Sequence, residues 1–184
     1  MLKILFSLSL VSLMVACSSN KESKDLITES DRETYNASPV TDAEISNTLL
    51  TANSEEMNLS KIGREKASND QVKAFAEKMY QEHAMSNDKV HGQMKKMPKE
   101  TISSMEFKFA SAEKVEELKK MDQGEGFDKN FMQVQVETHQ KVLEKIEQSL
   151  LPNAQRPELK AMLESTRNKV RGHLNEAKAI SESL

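Results

Sequence analysis

Four stretches of this chain repeat an apolar or small residue at every third or fourth position, the period of a helix that buries one face. The first opens on Thr41-Asp42-Ala43-Glu44, a capping box with Thr41 as N-cap. Its stripe of Ile45, Leu49, Ala52, Glu56, Leu59 and Gly63 runs to about Lys66. Ser68-Asn69-Asp70-Gln71 reads as a second capping box. It opens a stripe of Val72, Ala76, Met79, His83, Ser86, Val90 and Met94 that Pro98 breaks. A third stretch, from Phe127 to Leu150, carries Phe131, Gln135, His139, Val142 and Ile146, with Pro152 and Asn153 punctuating it. The fourth starts near Pro157, a residue suited to a first helical turn, and runs through Leu159, Leu163, Thr166, Val170, His173, Ala177 and Ile180.

A length of 184 residues fits one domain, and 5 Gly with 4 Pro are too few for the turns of a β-sandwich or barrel. The expected fold class is therefore all-α. Short links join the first helix to the second and the third to the fourth, which points to a four-helix bundle. The link over residues 98–126 is too long for a tight turn. It holds a short helix of its own, Ser111 to Met121, ended near Gly124. A long crossover between the second and third helices is the ferritin-like topology.

The stripes contain one anomaly each. Glu56, His83, His139 and His173 stand where the period calls for an apolar residue, one per helix and near mid-helix, so the four could share a layer. Buried ionisable groups are costly unless they pair or bind metal. One carboxylate and three imidazoles form a four-ligand set for one divalent ion such as zinc, manganese or iron. Two other readings stay open: a hydrogen-bonded polar layer in which Glu56 accepts from a histidine, and stripe-edge residues that face water. A di-iron site is disfavoured. That chemistry wants Glu-x-x-His pairs, and the residues three before His83, His139 and His173 are Tyr80, Val136 and Val170.

Other chemistries find less. A formal net charge of −3 with mixed signs gives no clustered positive face for nucleic acid. A single cysteine excludes an intramolecular disulfide framework and any Cys-based zinc cluster. No nucleophile elbow or nucleotide loop occurs. His91, Met94 and Met97 step along one face and could hold Cu(I), although methionine is also a common core filler.

The N-terminus reads as an address. Met1-Leu2-Lys3 is a basic start, and Ile4 to Val15 is an apolar run too short for a bilayer span of about 20 residues. Ala16-Cys17 follows and resembles the lipobox of bacterial lipoproteins, with Met14 where leucine is commoner. The expected organisation is a signal peptide over 1–16, a lipidated Cys17 opening a disordered tether over 17–40, and a helical domain over 41–184. Such a protein would sit in the cell envelope, as an outer-membrane lipoprotein facing the periplasm or the cell surface. Its membrane contact would run through the lipid.

Several segments carry a family resemblance when taken together. They are Asn53-Ser54-Glu55-Glu56-Met57-Asn58-Leu59, then Val72-Lys73-Ala74-Phe75-Ala76 leading to Met79-Tyr80-Gln81-Glu82-His83. Gly126-Phe127-Asp128 runs into Val134-Gln135-Val136-Glu137-Thr138-His139-Gln140, and Gly172-His173-Leu174-Asn175-Glu176-Ala177 closes the set. From about Thr41 to Ile180 the chain resembles the ferritin-like envelope family catalogued as domain of unknown function 4142, whose members are often labelled predicted outer membrane proteins. The resemblance implies the fold and export, and carries no activity. The expected function is a non-catalytic envelope module that binds a metal ion or a protein partner through or around the Glu/His layer. The alternative is a metal-dependent oxidase or hydrolase using an open coordination position there.

Overall fold

The computed structural model describes residues 40–96 and 108–184. The expected leader, Cys17, the expected tether up to residue 39, Met97 and Pro98 lie outside the described residues. Every regular element among the described residues is helical: α1 (Asp42–Lys66), α2 (Asp70–Met94), α3 (Ala112–Lys120), α4 (Glu125–Lys145), a π-helical turn (Ile146–Leu150), α5 (Leu151–Asn153) and α6 (Pro157–Ser183). None of them is long and apolar enough to cross a membrane.

Local sequence explains where most of them start. Thr41 caps α1 through its side chain, and Glu44 reaches back to the Thr41 N–H at 2.9 Å, which completes the capping box. Ser111 caps α3, with Met121 at its other end. Pro157 takes the first turn of α6, where its missing N–H costs nothing.

Three expectations need correction. The cap of α2 is Asn69, whose side chain accepts from the N–H groups of Gln71 and Val72, and Ser68 forms no capping box. Ser68 is claimed from elsewhere: its N–H (3.0 Å) and hydroxyl (2.5 Å), with the N–H of Asn69 (2.9 Å), donate to the buried carboxylate of Asp128. Helix α4 begins at Glu125, two residues before Phe127, because Gly124 adopts φ 140° and turns the chain into the helix there. The end of this stretch also departs from a plain helix. The turn from Ile146 widens, and the Leu151 N–H bonds to the Ile146 carbonyl. Pro152 follows at once. It has no N–H, and its ring would crowd the carbonyl four residues back in a regular helix, so a wider turn suits it.

Helix α1 packs along α2 and α4 along α6, while α1 also meets α4 and α2 meets α6. At the tightest approach, a Cβ on Gly63 would stand 2.9 Å from that of Ala76 and closer still to the Phe131 ring, so glycine lets α1 lie against its neighbours. The apolar core falls into two clusters. One gathers Leu59, Phe75, Met79, Phe127 and Phe131; the other gathers Leu49, Val90, Val142, Leu163 and Val170. In each long helix the switch from one cluster to the other falls at the polar residues.

Candidate metal centre

Between the two clusters sit Glu56 (1% exposed), His83 (7%), His139 (1%) and His173 (5%). All four expected residues are thus buried in one layer, and none faces water as a stripe-edge residue would. Asn53 and Gln135 are buried beside them. The ring centroids of the three histidines lie 5.5–6.1 Å apart and the rings meet at steep angles. One ring nitrogen from each can be chosen so that all three fall within 4.8 Å of one another.

The hydrogen bonds fix which nitrogens are available. His83 Nδ1 lies 2.9 Å from Asn53 Oδ1, His139 Nδ1 2.9 Å from the Gln135 carbonyl, and His173 Nε2 3.1 Å from Glu82 Oε2. Each partner is an oxygen that accepts, so each of those nitrogens carries the hydrogen. The remaining nitrogens, His83 Nε2, His139 Nε2 and His173 Nδ1, are buried without a hydrogen-bond partner. Each imidazole donates one N–H to an oxygen and, in its neutral form, keeps the lone pair of its other nitrogen free. Metal-ligating histidines are oriented in this way.

Electrostatics favours the neutral form of the His83 and His173 rings. Burial is the largest cause holding His83 well below the ordinary 6.5, with His139, His173 and Lys169 adding to it. Burial and His139 lower His173 to about 4, although Glu82 pulls the other way. Neutral imidazole is the form that binds metal.

Glu56 departs from the expected four-ligand set. It is not among the residues whose ligand atoms cluster within 4.8 Å. Its Oε1 stands 3.8 Å from His139 Nδ1, the nitrogen already committed to the Gln135 carbonyl. The hydrogen-bonded alternative had Glu56 accept from a histidine, and at 3.8 Å from His139 Nδ1 it makes no such bond. Burial raises this carboxyl above its ordinary 4.5, opposed by His139 and Gln135. Of the other sequence candidate, His91 is exposed and Met94 packs against the apolar cluster of Leu49 and Val170, while Met97 lies outside the described residues.

Sequence reasoning missed Asn53 and Glu82. Asn53 lies one residue off the α1 stripe and Glu82 precedes the His83 stripe position, so neither interrupts the pattern. A cleft of about 230 Å³ reaches His83 and His173, and Asn53 and Glu82 line it.

The family model for the domain of unknown function 4142 matches residues 28–180. The chain belongs to this family. No curated protein matches it. Among solved structures, the chain is similar to a fragment of a domain of unknown function 305 protein from Deinococcus radiodurans. That match has a TM-score of 0.66 at 16% identity and covers 78% of this chain and 96% of that one. It is also similar to CopM in the Cu(II)-bound form, with a TM-score of 0.59 at 15% identity, over 78% of this chain and 98% of that one. These likenesses show a shared helical fold. The buried histidines could hold a metal ion.

Proposed function

We propose that this protein is a lipid-anchored cell-envelope protein whose ferritin-like four-helix bundle binds one divalent transition-metal ion through His83, His139 and His173. The observation that carries the reading is the set of three buried imidazoles, each with one N–H engaged by an oxygen and one nitrogen unpartnered. The α1–α2 and α4–α6 pairs, with α3 in the long connection between them, support the bundle topology.

An all-imidazole set favours zinc or copper, with iron behind them and manganese, which prefers oxygen ligands, last. CopM, which shares the fold, was solved with Cu(II) bound, and this supports testing copper beside zinc. Glu56 supplies a carboxyl beside His139 and is not assigned as a ligand. The envelope address rests on the leader over 1–16 and the Ala16-Cys17 junction, with residues 17–40 as tether. The enzymatic alternative, an oxidase or hydrolase with an open coordination position, draws on the cleft that reaches His83 and His173.

The test is calorimetry and thermal unfolding of the chelator-stripped protein with Zn²⁺, Cu²⁺, Fe²⁺ and Mn²⁺. One ion per chain should bind, and a hundredfold excess over Kd should raise stability by about 2.7 kcal/mol. His83→Ala and His173→Ala should erase that gain. Identical unfolding curves with and without every ion would end the metal reading. A gain that survives both substitutions would place the ion elsewhere.

A further inference from the structure

Three histidines leave a tetrahedral ion one ligand short, and an open position is what a metal needs to engage a small molecule. The cleft beside the histidines has a chemistry of its own. Its volume of about 230 Å³ is far above the roughly 10–15 Å³ that one water requires. It reaches His83 and His173, and Ser86, Lys89, Ser165 and Lys169 line it with donors. Ser86 Oγ accepts from Asn53 Nδ2 at 3.0 Å, which leaves the serine's own hydrogen free to donate. Glu82, an acid in this wall, already accepts from His173 at 3.1 Å and stands 3.9 Å from the Lys169 ammonium. His83 lines the cleft and is 7% exposed, and its buried Nε2 has no partner. Glu56 does not line it. With neutral imidazoles, an ion here keeps its full charge, and two ammonium groups at the approach add to the positive field.

We propose that the metal held by His83, His139 and His173 takes a small anion of the carboxylate, carbonate or phosphate class as its fourth ligand from this cleft. Lys89, Lys169 and Ser86 supply the outer contacts. The proposal rests on the metal reading above and adds the class of molecule that completes the site. The anion displaces a metal-bound water. No group is oxidised or reduced.

The experiment uses the protein loaded with Cu²⁺, or with Co²⁺ if the site refuses copper, after its metal content has been measured. Azide serves as the reporter, because it gives a charge-transfer band on binding the metal. Acetate, bicarbonate and inorganic phosphate are the competitors. Azide should produce a saturable band of one anion per ion, and an oxyanion should displace it. Lys89→Gln should weaken azide binding by about two- to fivefold, the range expected for one exposed charge. The Lys89→Gln, Lys169→Gln double variant should weaken it further while metal content stays the same. A protein that takes up no metal overturns the metal reading and this one with it. A protein with a full complement of metal but no azide band, or with a band of equal affinity in the double variant, overturns this inference alone.

Discussion

At the residue scale, the centre depends on side chains that touch no metal. Asn53 Oδ1 holds the N–H of His83 at 2.9 Å, and Asn53 is itself held by Ser86. Asn53→Ala should leave the three imidazoles in place yet free the His83 ring to turn. Metal affinity should then fall about 10- to 100-fold, against near-complete loss in His83→Ala, as read by competition with a chelator of known strength. Acid should also act through these rings. His173 is lowered from 6.5 to about 4 in the folded protein, so the unfolded chain takes up its proton first as pH falls. Stability from this ring is fully present above pH 6.5 and is lost progressively towards pH 4, by on the order of 3 kcal/mol in the absence of metal. The groups acting on it are His139, Glu82 and Lys78, and His83 shifts with the same sign. Glu56 works in reverse: its raised pKa gives stability that is full below 4.5 and declines as pH rises through the folded value. Because Glu56 pulls the other way, the test is a comparison. Between pH 4 and 7 the urea midpoint of chelated His173→Gln should fall less, or rise more, on acidification than that of the wild type. Parallel pH profiles for wild type and His173→Gln would contradict the lowered His173 pKa.

At the scale of elements, carboxylates far away in sequence hold the helix starts. Asp128, on the first turn of α4, accepts three hydrogen bonds from Ser68 and Asn69, where α2 begins. Asp42 does the same for the N–H groups of Gln155 and Arg156 before α6, at 2.8 and 3.0 Å. Glu55 accepts from Phe109 and Ala110 in the long connection. Asp128 is 1% exposed, so Asp128→Ala would strand N–H groups that water reaches poorly. The expected cost is about 1–3 kcal/mol in a denaturant titration. Asp128→Asn, which keeps one acceptor oxygen, should cost less. Equal and negligible losses in both variants would mean that solvent replaces these bonds. Local capping could be read from Thr41 and Glu44 because donor and acceptor lie within one turn. The Asp128 contacts were not legible, since about sixty residues separate the partners.

At the scale of the whole molecule, a polar layer divides the core. Its apolar clusters lie on either side, and the donor-lined cleft reaches the layer from outside. The proposed envelope address makes a prediction at this scale. Cys17→Ala should abolish fatty-acid labelling and release the protein from membranes, with a fractionation control to show that export continues. Labelling that survives the substitution would remove the lipid anchor from the proposal. The centre should be unaffected, and metal binding by released protein should match the anchored form.

The sequence by itself determined that the described chain would be helical, nearly where its long helices run, and which four residues interrupt their apolar stripes. These are local properties: a period of 3.6 residues and a capping box are complete within a few turns. Only the tertiary structure decided that three of the four interrupting residues cluster while Glu56 stands on the far nitrogen of His139. Tertiary structure also decided which ring nitrogens stay free and that Asn53 and Glu82 orient the rings. Those outcomes depend on how far each helix is rotated and shifted against its neighbours. That register is set by contacts such as Gly63 against Ala76 and Phe131, and no single stripe contains it.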